Sequence, residues 1–262
     1  MTSHDRTLRL VFPQWQGGNN PPYYFGSRLL EWLAPAHAGP TEEVPVALPT
    51  DAPLPVEEGV VARGALLEQL RQARRLIDKH QPDRLVVLGG DCLVDLAPFA
   101  YLNERYDGDL AVLWVDAHPD IMTPEQFQHA HAMVLGNLLG CGDASFVAHV
   151  PRPIEPKNVL YVGVHDPSPW EAANMQRLEL GNVTPDRLAR HGSQPVLDWF
   201  KSTGVSRLAI HLDLDVLDPA LFRALLFARP GIPADTFAGV AQGRLTMEQV
   251  VQLLGDVATV AD

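Results

Sequence analysis

The stretch LAVLWVDAHPD, residues 110–120, joins a six-residue apolar run to a polar segment that contains two aspartates and a histidine between them. The apolar run does not alternate with polar residues, which is typical of a strand buried on both faces of a parallel sheet. Other runs of this kind, rich in Val, Leu and Ile, occur at residues 8–12, 85–88, 159–164 and 208–212. The sequence therefore predicts a sheet of buried, mostly parallel strands.

Helical patterns lie between these runs. Residues 56–80 form a long amphipathic segment with leucines at helical spacing, and residues 185–203 and 246–257 have a similar pattern. Pro- and Gly-rich stretches at 19–22 and 228–233 predict loops. The alternation predicts an α/β fold: a single domain over residues 1–262, built as a three-layer α-β-α sandwich around a doubly wound sheet.

Composition excludes several classes of protein. The formal net charge of −12 argues against a nucleic-acid or anionic-membrane partner. Two cysteines, Cys92 and Cys141, are too few for a disulfide scaffold, so a reducing compartment is expected. Residues 1–10 carry charges where a signal peptide needs an apolar run, and no stretch approaches the roughly 20 apolar residues of a membrane span. We therefore predict a cytoplasmic location.

Polar clusters follow three of the predicted strands. Their sequences are VLGGDC at residues 87–92, WVDAHPD at 114–120 and IHLDLDVLDP at 210–219. Ligands of open α/β sheets bind at the carboxyl ends of the strands, so we expect the three clusters to meet at one edge of the sheet.

The spacing of the carboxylates points to metal. In an extended segment, Asp116, His118 and Asp120 would point the same way, as would Asp213 and Asp215. Four such carboxylates crowded together repel one another unless a cation lies between them. Oxygen-rich sites with an imidazole suit Mn²⁺ or Mg²⁺, with Zn²⁺ and Fe²⁺ as alternatives, and bridging carboxylates suggest two ions roughly 3.5–4 Å apart. The alternative for an isolated Asp-x-Asp is a turn or a helix cap.

These motifs resemble the signatures of the ureohydrolase family, which comprises arginases, agmatinases, guanidinobutyrases and formiminoglutamases. The matching segments are Gly89-Gly90-Asp91-Cys92, Asp116-Ala117-His118-Pro119-Asp120 and residues 211–219. The order and spacing of the signatures agree, and the resemblance runs from about residue 85 to the end of the sequence. It implies an arginase-like fold with two metal ions, most typically Mn²⁺.

The resemblance also implies a ligand set. The metal ligands would be Cys92, Asp116, His118, Asp120, Asp213 and Asp215. Asp116 and Asp213 would bridge the ions, His118 and Asp215 would complete one site, and Asp120 would help to complete the other.

Catalytic roles are implied as well. Asp116 would take part in catalysis, and His131 aligns with a histidine that assists proton transfer, with His129 as a competing candidate two residues away. Asp91, after the Gly-Gly turn, and Asp218, before a proline, have the pattern of structural residues.

Cys92 is one departure from the family pattern, because a histidine ligand usually occupies its position. N-hydroxyarginine amidinohydrolase, a member of the family, also has a cysteine there. Three interpretations stay open: the first ion binds weakly through Cys92, the site prefers a softer ion, or only the second ion binds tightly. A fourth is that Cys92 is a small buried apolar residue without a role in binding.

Further departures concern the substrate. Met122 stands where arginases have an asparagine that binds the α-carboxylate, and Ser168 stands where they have an aspartate. Glu171 fits the family's loop that binds the amino group. Met122, Ser168 and Glu171 are the candidate substrate-binding residues, and the two changes weaken the match to an unmodified α-amino acid. From the family pattern we also expect a further C-terminal strand with an acidic residue, for which residues up to 262 offer no equivalent.

The expected function is the hydrolysis of a guanidino or amidino C–N bond by hydroxide held at two metal ions. Its products would be urea, or a urea analogue, and an amine. The substrate would be small and related to arginine: N-hydroxyarginine, arginine, agmatine or a guanidino acid. The resemblance also implies a homo-oligomer, a trimer or a hexamer. The alternatives are a metal-deficient pseudoenzyme partner of a ureohydrolase and a metal-dependent deacetylase of a related fold.

Overall fold

The computed structural model describes residues 6–231, 233 and 235–261. The chain divides into two compact units. The first comprises Met1–Gly108 and Asp120–Pro153, and the second comprises Asp109–Pro119 and Ile154–Asp262. We describe each unit separately, and the single domain over residues 1–262 stays a prediction.

The first unit contains a parallel sheet and a short ribbon. Its strands are β1 (Thr7–Phe12), β2 (Thr41–Glu43), β3 (Val56–Glu57), β4 (Val60–Val61) and β5 (Arg84–Gly89). β1 pairs in parallel with both β2 and β5, while β3 and β4 form an antiparallel ribbon. Its helices are α1 (Pro22–Leu33), α2 (Arg63–His80), α3 (Leu96–Arg105), α4 (Val134–Leu138) and α5 (Ala144–Val147). Turns of 3₁₀ helix cover Cys92–Asp95 and Ala130–Met133.

Helix α2 corrects one sequence prediction. The predicted helix over residues 56–80 was wrong at its start, because residues 56–61 form the β3-β4 ribbon. Ala62, with a φ of +54°, turns the chain out of the ribbon and into the helix. From there the helix is confirmed, and of the leucines at helical spacing Leu66 and Leu70 are buried, with Ala73 on the same face.

The second unit contains a four-stranded parallel sheet. Its strands are β6 (Ala111–Val115), β7 (Val159–Val162), β8 (Gly181–Val183) and β9 (Leu208–Leu212), in the order β8-β7-β6-β9. Its helices are α6 (Pro169–Arg177), α7 (Pro185–His191), α8 (Gln194–Thr203) and α9 (Met247–Val257). The single helix predicted over residues 185–203 was wrong, since Gly192, at a φ of +57°, separates α7 from α8. The helix predicted at 246–257 is confirmed as α9.

The predicted α/β class is confirmed, because each unit has parallel strands and helices. Every apolar run singled out in the sequence contains a strand, and β6 is wholly buried. In the part of the chain that the structure describes, the parallel strands form a three-stranded and a four-stranded sheet, in which β5 and β9 are edge strands. Of the predicted loops, 19–22 reaches the start of α1, and 228–233 includes Ile232, which lies outside the described residues. Among the described helices, none is long and apolar enough to cross a bilayer.

The register of the second sheet positions two of the polar clusters. Val115 of β6 lies opposite Leu212 of β9, so the next residues along these strands are Asp116 and Asp213. The N–H of Asp213 donates to the carbonyl of Val115 at 3.0 Å. The second and third polar clusters therefore meet at one sheet edge, as expected, while the first cluster follows β5 in the other unit.

Gly90, in the first polar cluster, is required by a close approach of two backbone segments. A Cβ atom there would lie 1.8 Å from the carbonyl oxygen of Gln14, which is a backbone atom that cannot rotate away. We predict that Gly90→Ala lowers the free energy of unfolding by about 2–3 kcal/mol. Urea denaturation followed by circular dichroism measures this.

Gly255→Ala is the matched control, because the residue is inside α9 and, apart from its chain neighbours and the backbone of that helix, no atom of the described residues lies within 4 Å of its added Cβ. Alanine should stabilise that helix by up to about 1 kcal/mol. Equal midpoints for the two variants would contradict the close approach at Gly90.

Candidate metal centre

Three side chains of the second unit form a compact ligand cluster. One ligand atom from each of Asp116, His118 and Asp215 lies within 4.8 Å of the others. Nδ1 of His118 is 3.5 Å from Oδ1 of Asp116 and 3.2 Å from Oδ2 of Asp215. Asp116 is 1% exposed, so its charge is almost fully removed from water.

The backbone holds His118 in one orientation. Its ring atom Nε2 lies 3.0 Å from the carbonyl oxygen of Ala241. The backbone N–H of His118 donates to Oδ1 of Asp116 at 2.7 Å. A carbonyl only accepts hydrogen bonds, so Nε2 carries a proton and Nδ1 faces the carboxylates. Histidine ligands of metals are commonly oriented by such a bond from the second ring nitrogen.

The electrostatics of the cluster favour a bound cation. Burial, followed by the charges of Asp213 and Asp116, raises the pKa of Asp215 to about 8 despite the neighbouring His118. Oδ1 of Asp215 is buried and accepts no hydrogen bond from the described residues. A divalent cation would satisfy this oxygen and offset the repulsion between the carboxylates, so the donor set fits a metal ion.

Asp116 differs from Asp215, although burial raises the pKa of both carboxyl groups. Burial raises the pKa of Asp116, but hydrogen bonds from His118 and His211 outweigh it and hold the pKa well below its usual value. Burial likewise lowers the pKa of His118, while Asp215 and Asp116 raise it to about 12. Asp116 is therefore the carboxylate of the cluster that keeps its negative charge most firmly.

Asp213 contributes to the shape and charge of the cluster. Its Oδ1 accepts the N–H of Asp215 at 2.7 Å, as in an isolated Asp-x-Asp turn. Asp213 is not one of the three residues whose ligand atoms all lie within 4.8 Å of one another in the described structure. Its charge nevertheless raises the pKa of Asp215.

Sequence reasoning missed His211 and Trp114 as members of this cluster. Nε2 of His211 is 3.5 Å from Oδ2 of Asp116, and the indole Nε1 of Trp114 donates to the same oxygen at 3.2 Å. The rings of His211 and Trp114 stack with centroids 3.7 Å apart and planes inclined by 12°. The sequence could have indicated His211, because side chains alternate between the two faces of a strand. His211, two residues before Asp213, therefore lies on the same face as that aspartate.

Gly243 was also missed. A Cβ at this residue would lie 2.1 Å from the carbonyl oxygen of Asp215 and 2.2 Å from the carbonyl carbon of Val216. The segment that provides the Ala241 carbonyl thus packs directly on the backbone that carries Asp215. Nothing in the local sequence pattern indicated this long-range contact.

The first unit holds two further predicted ligands. Cys92 and Asp120 are 8% and 3% exposed, and their ligand atoms lie within 4.8 Å of each other. Cys92 begins a 3₁₀ turn that Asp91 caps, with Oδ1 accepting the N–H of Leu93 at 3.1 Å. Oδ2 of Asp91 accepts the N–H of Gly18 at 3.3 Å, which supports the structural role predicted for Asp91.

His131 is oriented by the carbonyl oxygen of Gly17. Its Nδ1 lies 3.0 Å from that oxygen, and its backbone N–H donates to it at 3.2 Å. The proton is therefore on Nδ1 and the lone pair on Nε2, which is the arrangement a proton relay needs. The ring centroid of the competing candidate, His129, lies 6.2 Å from that of His131, and burial lowers the pKa of His129.

Met122, a candidate substrate-binding residue, lies beside the His131 segment. Its backbone N–H donates to the Ala132 carbonyl at 2.9 Å.

Ser168 and Glu171 form a reciprocal cap at the start of α6. The N–H of Glu171 donates to the Ser168 hydroxyl at 3.3 Å, and the N–H of Ser168 donates to Oε2 of Glu171 at 2.8 Å. Glu171 is 7% exposed. Both residues thus have a structural task in addition to the substrate binding predicted for them.

Comparison with protein families and curated proteins gave consistent matches. The family model described as "Arginase family" matches residues 26–231. An arginase of Entamoeba histolytica is 30% identical over 141 residues, which are 52% of this chain and 48% of that protein. A Staphylococcus aureus arginase is 28% identical over 140 residues, 51% of this chain and 46% of that protein. The chain thus spans about half the length of the curated relatives it matches.

Solved structures share the fold. The Entamoeba histolytica arginase in complex with L-ornithine has a TM-score of 0.78 at 22% identity, covering 97% of this chain and 86% of that one. The Bacillus caldovelox arginase has a TM-score of 0.76 at 22% identity, covering 98% and 88%. The formimidoylglutamase of Bacillus subtilis has a TM-score of 0.66 at 15% identity, covering 98% and 77%. The predicted arginase-like fold is confirmed.

The capping role of Ser168 at the start of α6 can be tested through protein stability, in the absence of substrate. Ser168→Ala removes the capping hydroxyl and should lower the free energy of unfolding by about 1 kcal/mol. Ser168→Thr keeps the hydroxyl and is the matched control, with stability close to that of the parent chain. Urea denaturation measures both, and unchanged stability of Ser168→Ala would contradict the capping role.

Proposed function

Because the chain belongs to the arginase family, we propose that it is a two-metal hydrolase cleaving a guanidino or amidino C–N bond. The products are urea, or a urea analogue, and an amine. The observation that carries the proposal is the cluster of Asp116, His118 and Asp215, in which Oδ1 of Asp215 accepts no hydrogen bond from the described residues and burial and the neighbouring carboxylates raise the pKa of Asp215 to about 8.

The proposed ligands follow the family signatures. They are Cys92, Asp116, His118, Asp120, Asp213 and Asp215. Asp116 and Asp213 would bridge two ions, with Mn²⁺ as the expected metal because oxygen ligands predominate. When bound, two such cations supply Lewis acidity and lower the pKa of a coordinated water.

The chain's own residues complete the reaction. Asp116, kept ionised by its hydrogen bonds, holds negative charge beside the reacting centre. His131 takes up at Nε2 the proton that the attacking water releases and passes it to the leaving amine, because the Gly17 carbonyl fixes the other nitrogen. Burial of the carboxylates excludes water and strengthens their interaction with the cationic guanidinium group of a substrate.

We propose an arginine-related substrate, namely N-hydroxyarginine, arginine, agmatine or a guanidino acid. The structural neighbour that holds L-ornithine is an arginase, and another neighbour is named a formimidoylglutamase, so the panel of candidates includes an amidine. Met122, Ser168 and Glu171 are the proposed substrate-binding residues. Met122 cannot donate a side-chain hydrogen bond to an α-carboxylate, which favours a substrate modified or shortened at that end.

The location and assembly are also proposals. The family resemblance supports a cytoplasmic homo-oligomer, a trimer or a hexamer. The exposure of Phe25, Trp32 and Leu33 on α1, at 68%, 79% and 61%, supports self-association.

Asp116→Asn tests the function. It removes the charge of the proposed bridging ligand while keeping its size, so bound Mn²⁺ and urea release should fall together. Loss of groups that only orient a ligand costs about 10–100-fold, and loss of the ligand itself should exceed that range. Elemental analysis measures the metal. The activity is measured after Mn²⁺ loading as release of urea from arginine, agmatine and guanidinobutyrate, of hydroxyurea from N-hydroxyarginine, and of formamide from formiminoglutamate.

Asp198→Asn is the matched control, because this exposed side chain only accepts a hydrogen bond from Gln194 within α8. It should keep both metal and activity. A parent chain that releases neither urea, hydroxyurea nor formamide from any of these substrates and holds no metal would overturn the proposal in favour of the pseudoenzyme alternative. Acetate release from an acetylated amine would instead favour the deacetylase.

Cys92→His tests the departure at the first ligand position. If the thiolate is the weak ligand of that ion, imidazole should raise Mn²⁺ affinity, because Mn²⁺ prefers the harder nitrogen donor. Titration with Mn²⁺, read by electron paramagnetic resonance, measures the change. Tighter binding of Zn²⁺ than Mn²⁺ by the parent chain, reversed in Cys92→His, would instead identify a site selected for a softer ion.

A further inference from the structure

We propose that His211 is an additional metal ligand, through Nε2, for the ion that Asp116 binds with Oδ2. No signature of the family resemblance assigns a ligand to this residue. The inference rests on the proposed function, since it concerns the same two ions.

The carboxylate of Asp116 has one imidazole on each side. Its Oδ1 lies 3.5 Å from Nδ1 of His118, and its Oδ2 lies 3.5 Å from Nε2 of His211. A carboxylate that bridges two ions presents one oxygen to each. The two histidines are therefore arranged so that each ion can receive one oxygen of Asp116 and one imidazole nitrogen.

The spacing suits shared coordination. Ligand atoms bound about 2.0–2.2 Å from one ion lie about 2.8–3.1 Å apart at adjacent octahedral positions and about 3.3–3.6 Å apart at tetrahedral positions. The 3.5 Å between Nε2 of His211 and Oδ2 of Asp116 is within the tetrahedral range and about 0.4 Å above the octahedral one. A bound ion thus needs little movement of either side chain.

The surroundings fix His211 in this orientation. Its side chain is 5% exposed, and its ring stacks on Trp114, the residue opposite it in the β6-β9 pairing. Trp114 also donates to Oδ2 of Asp116, so one indole ring positions both proposed ligands. A ligand held by packing in this way loses little conformational freedom when metal binds.

His211→Asn and His211→Gln test this inference. Equilibrium dialysis against Mn²⁺ with elemental analysis should give two ions per parent chain and one per variant, with the affinity of the lost ion reduced more than about 100-fold. Cobalt(II) gives a second readout that does not depend on activity. The absorption bands of the first cobalt ion, including any thiolate-to-cobalt band from Cys92, should be lost, while those of the ion at His118 stay.

His165→Asn is the control, because His165 is a buried histidine of the same unit whose Nδ1 contacts the carbonyl of Gly163. It should bind two ions. Circular dichroism and thermal unfolding of the metal-free proteins show whether each variant is folded, and the more soluble of the two His211 variants is then compared with the control.

The outcomes separate the two proposals. Two ions with unchanged affinity in a folded His211 variant would overturn the role of His211, while their loss in Asp116→Asn would leave the two-metal function standing. A parent chain with one ion would support the inference if His211→Asn removes it and contradict it if the ion stays. A parent chain without metal would overturn both.

Discussion

The burial of Asp116 at the carboxyl end of β6 is the constraint on which the centre depends. A carboxylate that is 1% exposed keeps its charge only if hydrogen-bond donors or cations surround it. Here the partners are His118, His211 and Trp114, each carried by β6, β9 or the turn that follows β6. The parallel register of the two strands is therefore what makes a buried negative charge tolerable, and the same register sets the direction in which the proposed metal ligands point.

Close backbone contacts make this arrangement rigid. Gly243 approaches the backbone of Asp215, and the carbonyl of Ala241 holds the ring of His118. In the first unit, two contacts fix the turn that carries Cys92. The backbone of Gly90 lies directly against that of Gln14, and the side chain of Asp91 accepts the N–H of Leu93. Side chains that backbone atoms hold in place keep their orientation when no ion is bound. The proposed ligands therefore need to move little when an ion binds.

Much of this was readable in the sequence. The apolar runs located the strands, and the Asp-x-His-x-Asp and Asp-x-Asp segments located the carboxylates at the ends of β6 and β9. The ribbon before α2 and the break at Gly192 were not readable, because tertiary pairing and a single left-handed residue override helical periodicity. His211 and Gly243 were missed because their importance comes from neighbours across the sheet or far along the chain. The cap formed by Ser168 and Glu171 shows that a residue at a family position can serve the scaffold as well.

Anomalous diffraction from crystals of the Mn²⁺-loaded protein tests the proposed bridging of two ions by Asp116. We expect two manganese peaks roughly 3.5–4 Å apart, one next to each carboxylate oxygen of Asp116. Absence of manganese at Asp116, or peaks confined to surface carboxylates, would contradict it.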